Sequence, residues 1–209
     1  MVDVSATPGR THVEIAEALL AAGVRVLQLR DKVASPRCLN ELIEALVPRC
    51  RAAGAVLILN DNLDLAVLHR VGVHLGQRDA SPTTARQRLG PGQLIGLSTH
   101  DLDQALAADR VWGVDYIGFG PIFETATKHL AVDDRREPDP AVGLGALREV
   151  VEASGLPVVA IGGINEETLR SVVDTGVDAV AVISAVTGRC DMRAAAETFM
   201  RAFGTGVEG

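Results

Sequence analysis

The stretch AVLILNDNLDLAVLHRVGVHLGQRD, Ala55 to Asp79, holds two short apolar runs with a helical period between them. Ala55 to Leu59 and Val73 to Leu75 read as buried strands, and residues 62–70 read as the helix that joins them. A strand, a helix and a second strand form a parallel unit, because the crossover helix carries the chain back to the edge where it started. Polar groups follow each run at once: Asn60-Asp61-Asn62 after the first and Gly76-Gln-Arg-Asp79 after the second. Upstream, the run Arg25 to Leu29 leads into Gln28-Leu-Arg-Asp-Lys32. If the three runs are neighbours in one sheet, their carboxyl ends gather Asp61, Asp79, Arg30 and Lys32 at one mouth. That charge pattern suits a divalent metal and a phosphorylated substrate.

The same alternation extends in both directions. Further strand candidates are Leu94 to Leu97, Tyr116 to Phe119, Val158 to Ile161 and Ala179 to Ile183, making seven with the first three. Helical patterns fall at 12–22, 35–53, 82–89, 101–111, 143–154, 165–175 and 191–203, which with 62–70 gives eight. Ser35-Pro36, Ser81-Pro82 and Asn165-Glu-Glu167 are capping signatures. Apolar strands separated by helices throughout imply an α/β fold with a parallel sheet buried on both faces. The counts favour a (β/α)8 TIM barrel, spanning residues 1–209 as one domain, over an open doubly wound sheet. The first strand of such a barrel would have to be Met1 to Ser5, which is short and carries an Asp.

With 47% hydrophobic and 22% charged residues the chain fills a sizeable core, and at 3% aromatics that core is built from Val, Leu, Ile and Ala. The net charge of -7 and the lack of a basic run argue against nucleic-acid or membrane-surface binding. Cys38, Cys50 and Cys190 show no metal-ligand spacing, and their odd number argues against a disulfide framework. Cys38 and Cys50 would lie roughly 18 Å apart on one helix, too far to bridge. No signal peptide and no membrane-spanning run is evident, so a cytoplasmic setting is expected. The sequence leaves homo-oligomerisation open.

In a barrel the site forms from the loops that follow the strands. Gln28, Arg30 and Lys32, spaced by two, project to one side of an extended backbone, where arginine and lysine can hold phosphate oxygens. Asp61 and Asp79 fit magnesium, which keeps several waters and bridges a diphosphate; the competing role for each is to cap the next helix. Ser98 and His100 follow the fourth run, Ser98 as a phosphate donor and His100 as a structural group. Thr125, Thr127 and Lys128 crowd two hydroxyls and a cation together, and Gly162-Gly163 with Ile183-Ser184 offers backbone amides to an anion. Two phosphate-favouring regions suggest two phosphorylated substrates. The charged segment Leu130 to Val142 is a solvated loop or a lid.

Seven collinear motifs carry a family resemblance: QLRDK (28–32), LNDN (59–62), GVHLGQRD (72–79), IGLSTH (95–100), DYIGFGPIFETATK (115–128), VVAIGGIN (158–165) and AVAVISAV (179–186). Together they resemble the thiamine phosphate synthase family, whose fold is a TIM barrel. The resemblance implies transfer of a hydroxymethylpyrimidine group from its diphosphate to the nitrogen of a thiazole phosphate, with Mg2+ as cofactor and small phosphorylated molecules as the only partners. It implies a substrate-binding set of Gln28, Leu29, Arg30, Asp31, Lys32, Asn60, Ser98, Thr125, Ala126, Thr127, Lys128, Gly163, Ile183 and Ser184. Arg30, Lys32 and Lys128 would be the catalytic cations, and Asp61 and Asp79 the metal ligands. Two departures stand out: the family's first strand, ending in Thr-Asp, is not recognisable, and the loop after Lys128 is unusually charged. A related thiazole tautomerase, which needs neither diphosphate nor magnesium, and a non-catalytic thiamine-phosphate-binding regulator are the alternatives.

Overall fold

The chain was analysed as a computed structural model that describes residues 1–4, 7, 9–125 and 140–204. Seven parallel strands run in sequence order across one sheet: β1 (Val26–Leu29), β2 (Val56–Asn60), β3 (Gly72–Leu75), β4 (Ile95–Thr99), β5 (Tyr116–Phe119), β6 (Val158–Ile161) and β7 (Ala179–Ala181). Helices alternate with them: α1 (His12–Ala21), α2 (Pro36–Ala52), α3 (Leu63–His69), α4 (Pro82–Leu89), α5 (Leu102–Ala108), α6 (Gly143–Ala153), α7 (Glu166–Val173), the short α8 (Ser184–Thr187) and α9 (Met192–Gly204). This is the expected α/β barrel alternation, with boundaries moved by one to three residues. The last strand stops at Ala181 instead of Ile183, and the short α8 that follows was not expected. Ile183-Ser-Ala-Val-Thr187 has no amphipathic period, so nothing in its pattern separates a helical turn from a strand end.

The missing first strand is present as a stub. Val2 bridges Leu29 in parallel, donating from its N–H to the Gln28 carbonyl (2.8 Å) and accepting from the Arg30 N–H (3.0 Å). On its other side the Met1 nitrogen donates to the Val182 carbonyl, just past β7, at 2.8 Å. Residues 1–3 thus occupy the eighth-strand position between the two edges of the sheet. A sheet whose edges meet a common partner leaves no open ladder for another chain.

Side chains alternate across the sheet. One set, including Leu27, Leu29, Leu59, Leu75, Ile95, Ile117 and Phe119, is buried beneath the helices in the continuous core. At about 1.5–3 kcal/mol per fully buried large aliphatic side chain, this layer is the main favourable term in folding. The other set faces the barrel interior and is where the polar residues lie: Gln28 beside Ile58, Asn60 beside His74, His74 beside Gly96, and Ser98 beside Gly118. The helices start where the sequence signalled. Ser35 and Ser81 accept from the N–H groups of Cys38 and Thr84 with proline following, and Asn165 forms a capping box with Thr168.

Candidate active site

Asp61 and Asp79 stand at the exits of β2 and β3, and neither caps a helix. The cap of α3 is Asn62, whose side chain accepts from the Leu65 N–H at 3.0 Å, and the cap of α4 is Ser81. Asp61 is held in the left-handed region (φ 62°), a conformation an Asp tolerates better than most residues, by its N–H bond to the His74 carbonyl (2.8 Å). Asp79 folds back over its own turn, one carboxylate oxygen accepting from the Gly76 N–H at 2.6 Å. The two carboxyls lie close enough for the charge of Asp79 to act on Asp61. The Asp61 carboxyl is pushed up to about 6, first by lost solvation in the mouth and then by Asp79, while Lys32 and Arg30 pull it down. Two carboxylates in contact, with two cations near enough to act on one of them, form the cluster expected from the sequence.

Arg30 is aimed by a residue whose role the sequence did not reveal. Its guanidinium meets the Asp3 carboxylate at 2.5 Å, with 12% and 2% of the two side chains exposed. The exposed Lys32 follows. Asp31 and Leu29, both among the expected substrate-binding residues, also make contacts within the protein. The Asp31 carboxylate accepts from the N–H groups of Val33 (3.0 Å) and Ala34 (2.8 Å) and lies 3.1 Å from His12 Nε2, and the Leu29 side chain is buried in the core. Burial draws the His12 pKa down against the pull of Asp31 and Asp3.

Inside the barrel, Asn60 is half-buried at the end of β2, and Gln28 and Ser98 belong to a hydrogen-bonded chain with His74 and Tyr116. Burial lowers the His74 pKa to about 4 and pushes that of Tyr116 up, so both are neutral at pH 7. Neither was singled out from sequence. The signal was available: a His between Val73 and Leu75 in an alternating strand must face away from the core. His100 is structural as expected, its Nδ1 2.6 Å from the Gly120 carbonyl oxygen.

On the far side, the β5 and β6 exits are stitched together. Ile122 and Phe123 donate from their N–H groups to the carbonyls of Ile161 (2.9 Å) and Gly162 (3.1 Å). Gly163 (φ 67°) fits there because a Cβ would fall 2.6 Å from the Phe123 Cβ and 2.7 Å from the Glu124 carbonyl oxygen. This brings Gly163 alongside the segment ending in Thr125. Ile183 precedes α8, whose N-terminus at Ser184 has no side-chain cap. Ala126, Thr127, Lys128 and most of the segment Leu130 to Val142 lie outside the described residues.

A (β/α) barrel with acidic, basic and glycine-rich strand exits on one mouth defines a barrel enzyme of phosphorylated small molecules. More particularly, the chain belongs to the thiamine monophosphate synthase family, whose model matches residues 2–186. It is 42% identical over 196 residues to the thiamine-phosphate synthase of Chlorobium phaeovibrioides, covering 93% of this chain and 90% of the relative. The solved thiamine phosphate pyrophosphorylase from Pyrococcus furiosus superposes with a TM-score of 0.84 at 34% identity, over 95% of this chain and 92% of that one. A more distant structure, (S)-3-O-geranylgeranylglyceryl phosphate synthase from Thermoplasma acidophilum, shares the fold alone, with a TM-score of 0.67 at 15% identity over 96% and 90% of the two chains. The chain is an enzyme of thiamine biosynthesis, a transferase that joins a pyrimidine to a thiazole moiety.

Proposed function

We propose that the barrel mouth binds hydroxymethylpyrimidine diphosphate against β1 to β4 and thiazole phosphate against β5 to β7, and joins them with loss of diphosphate. The observation that carries this reading is the contact between Asp61 and Asp79 beside Arg30 and Lys32. Among the described residues no three His, Cys, Asp or Glu side chains cluster as metal ligands. A pair of carboxylates nonetheless fits Mg2+, which takes its remaining ligands from water and substrate phosphate. The raised Asp61 pKa comes first from lost solvation and then from Asp79, and a cation held between the carboxylates would offset both. Mg2+ bound there supplies positive charge to the diphosphate oxygens as they leave.

Arg30, fixed by Asp3, and Lys32 hold the diphosphate and stabilise the charge that grows on it, with Lys128 in the same role. Gln28, Asn60 and Ser98 seat the pyrimidine. The bond from the methylene carbon to the diphosphate oxygen breaks with its electron pair leaving on oxygen, and the electron-rich aminopyrimidine stabilises the resulting cation. Thr125, Ala126, Thr127, Gly163, Ile183 and Ser184 hold the thiazole phosphate so that the nitrogen lone pair forms the new C–N bond. No protein nucleophile or base is needed. The reaction belongs in the cytoplasm, a setting that the free thiols Cys38, Cys50 and Cys190 support. Among the described residues no helix is long and apolar enough to cross a membrane. A thiamine-phosphate assay with both substrates, with and without Mg2+, tests the reading. Product formed only with both substrates and metal is expected. Thiazole isomerisation alone, or binding without turnover, would overturn it.

A further inference from the structure

Four polar side chains from four different strands meet inside the barrel. His74 on β3 and Tyr116 on β5 stack at an angle, ring centroids 5.5 Å apart. His74 Nδ1 hydrogen-bonds with the Tyr116 hydroxyl (3.0 Å) and Nε2 with the Ser98 hydroxyl (2.9 Å). The Tyr116 hydroxyl is also bonded by the Gln28 side chain. The strand between them makes way. A Cβ at Gly96 would fall 2.2 Å from Tyr116 Cζ and 2.4 Å from His74 Nδ1, and one at Gly118 would fall 3.0 Å from His74 Cε1. The chain Gln28, Tyr116, His74, Ser98 is thus continuous, and its two ends are the groups assigned above to the pyrimidine.

We propose that His74 and Tyr116 are positioning residues that set the hydrogen-bonding polarity of the pyrimidine seat, His74 fixing whether Ser98 donates or accepts and Tyr116 holding the Gln28 amide. A neutral imidazole has one donor and one acceptor nitrogen, so protons along the chain must all point one way. With the proton on Nε2, His74 donates to Ser98, whose own hydroxyl proton is left for the ligand. Tyr116 then donates to Nδ1 and accepts from the Gln28 amide, and the Gln28 carbonyl is left as an acceptor. With the proton on Nδ1, every bond reverses: Ser98 becomes an acceptor toward the ligand and Gln28 a donor. In both arrangements the Gln28 amide keeps a free donor and a free acceptor, and it is the Ser98 end whose polarity His74 fixes. A ring edge that carries an acceptor nitrogen beside an exocyclic amine can be met by both ends.

This inference rests on Gln28 and Ser98 seating the pyrimidine, and the experiment separates the two claims. Steady-state kinetics are measured for the wild type and for Gln28→Ala, Ser98→Ala, Tyr116→Phe and the Ser98→Ala/Tyr116→Phe double variant. Loss of one such hydrogen bond predicts about a 10-fold rise in KM for the pyrimidine diphosphate in Tyr116→Phe. KM for the thiazole phosphate and the unfolding midpoint stay within error. The double variant costs less than the product of the single effects, because both act on one chain. If Tyr116→Phe does not fold, His74→Gln replaces it with the same expectation. Normal pyrimidine KM in Tyr116→Phe beside a raised KM in Ser98→Ala overturns the inference and leaves the seat intact. Normal KM in both Gln28→Ala and Ser98→Ala overturns the seat itself. An equal rise in both substrates' KM, or multiplicative single effects, reduces Tyr116 to a structural role and overturns the inference.

Discussion

Asp61 and Asp79 face one another closely enough for the charge of Asp79 to raise the Asp61 pKa across the exits of two adjacent parallel strands, while Asn62 and Ser81 take the helix caps that either Asp might have filled. Capping therefore does not explain them. Asp61→Asn and Asp79→Asn should each lower turnover at least about 100-fold, the scale of losing a positioned charge stabiliser, with circular dichroism unchanged. Wild-type turnover in either variant at limiting Mg2+ would remove that residue from metal binding.

The same contact sets a pH dependence. The Asp61 carboxyl lies at about 6 against an ordinary value of 3.8, so it binds its proton more tightly in the folded protein. Its stabilising contribution is complete below the ordinary value and is lost as pH rises through about 6. In chelator, thermal melts of Asp61→Asn should gain on the wild type between about pH 4 and pH 7. A difference in midpoint that is flat with pH would contradict the raised Asp61 pKa that burial and Asp79 produce.

Asp3 and Arg30 form an ion pair with little exposure. Removing one partner leaves the other charge buried and unpaired, which costs about 3–5 kcal/mol. Asp3→Asn should lower the unfolding free energy toward that range and raise KM for the pyrimidine diphosphate, with KM for the thiazole phosphate less affected. Denaturant titration and kinetics check both parts. Unchanged values in both would show that Arg30 is oriented by something else.

Gly163→Ala places a methyl group 2.6 Å from the Phe123 Cβ at a backbone φ of 67°. Relief of that clash must separate the β5 and β6 exits, at a cost of about 1–3 kcal/mol. Calorimetry should show weaker thiazole-phosphate binding with pyrimidine-diphosphate binding retained. Equal loss of both ligands would mean that the two halves of the mouth are not independent.

The strands were legible because their apolar runs are short and bounded by Gly, Asn and Asp, and the strand exits marked the site because polar groups collect there. The role of Asp3 was not. Residues 1–3 are too few for periodicity to speak, and the Arg30 that Asp3 holds lies 27 positions away. His74 was passed over because a lone histidine carries little weight until the strand register shows which face it occupies. The bonds of Asp31 to the N–H groups of Val33 and Ala34 form a local turn that the motif QLRDK does not announce.

The stub at Val2 has a consequence for dynamics. It zips to β1 through Gln28 and Arg30, and the adjoining Asp3 grips the Arg30 side chain. An anion that immobilises this guanidinium therefore also tightens the seam where the ring of strands is sealed. Unzipping the seam and disarming the site become a single opening event, so the amide hydrogens of Val2 and Arg30 should exchange with solvent at one shared rate that slows when diphosphate binds.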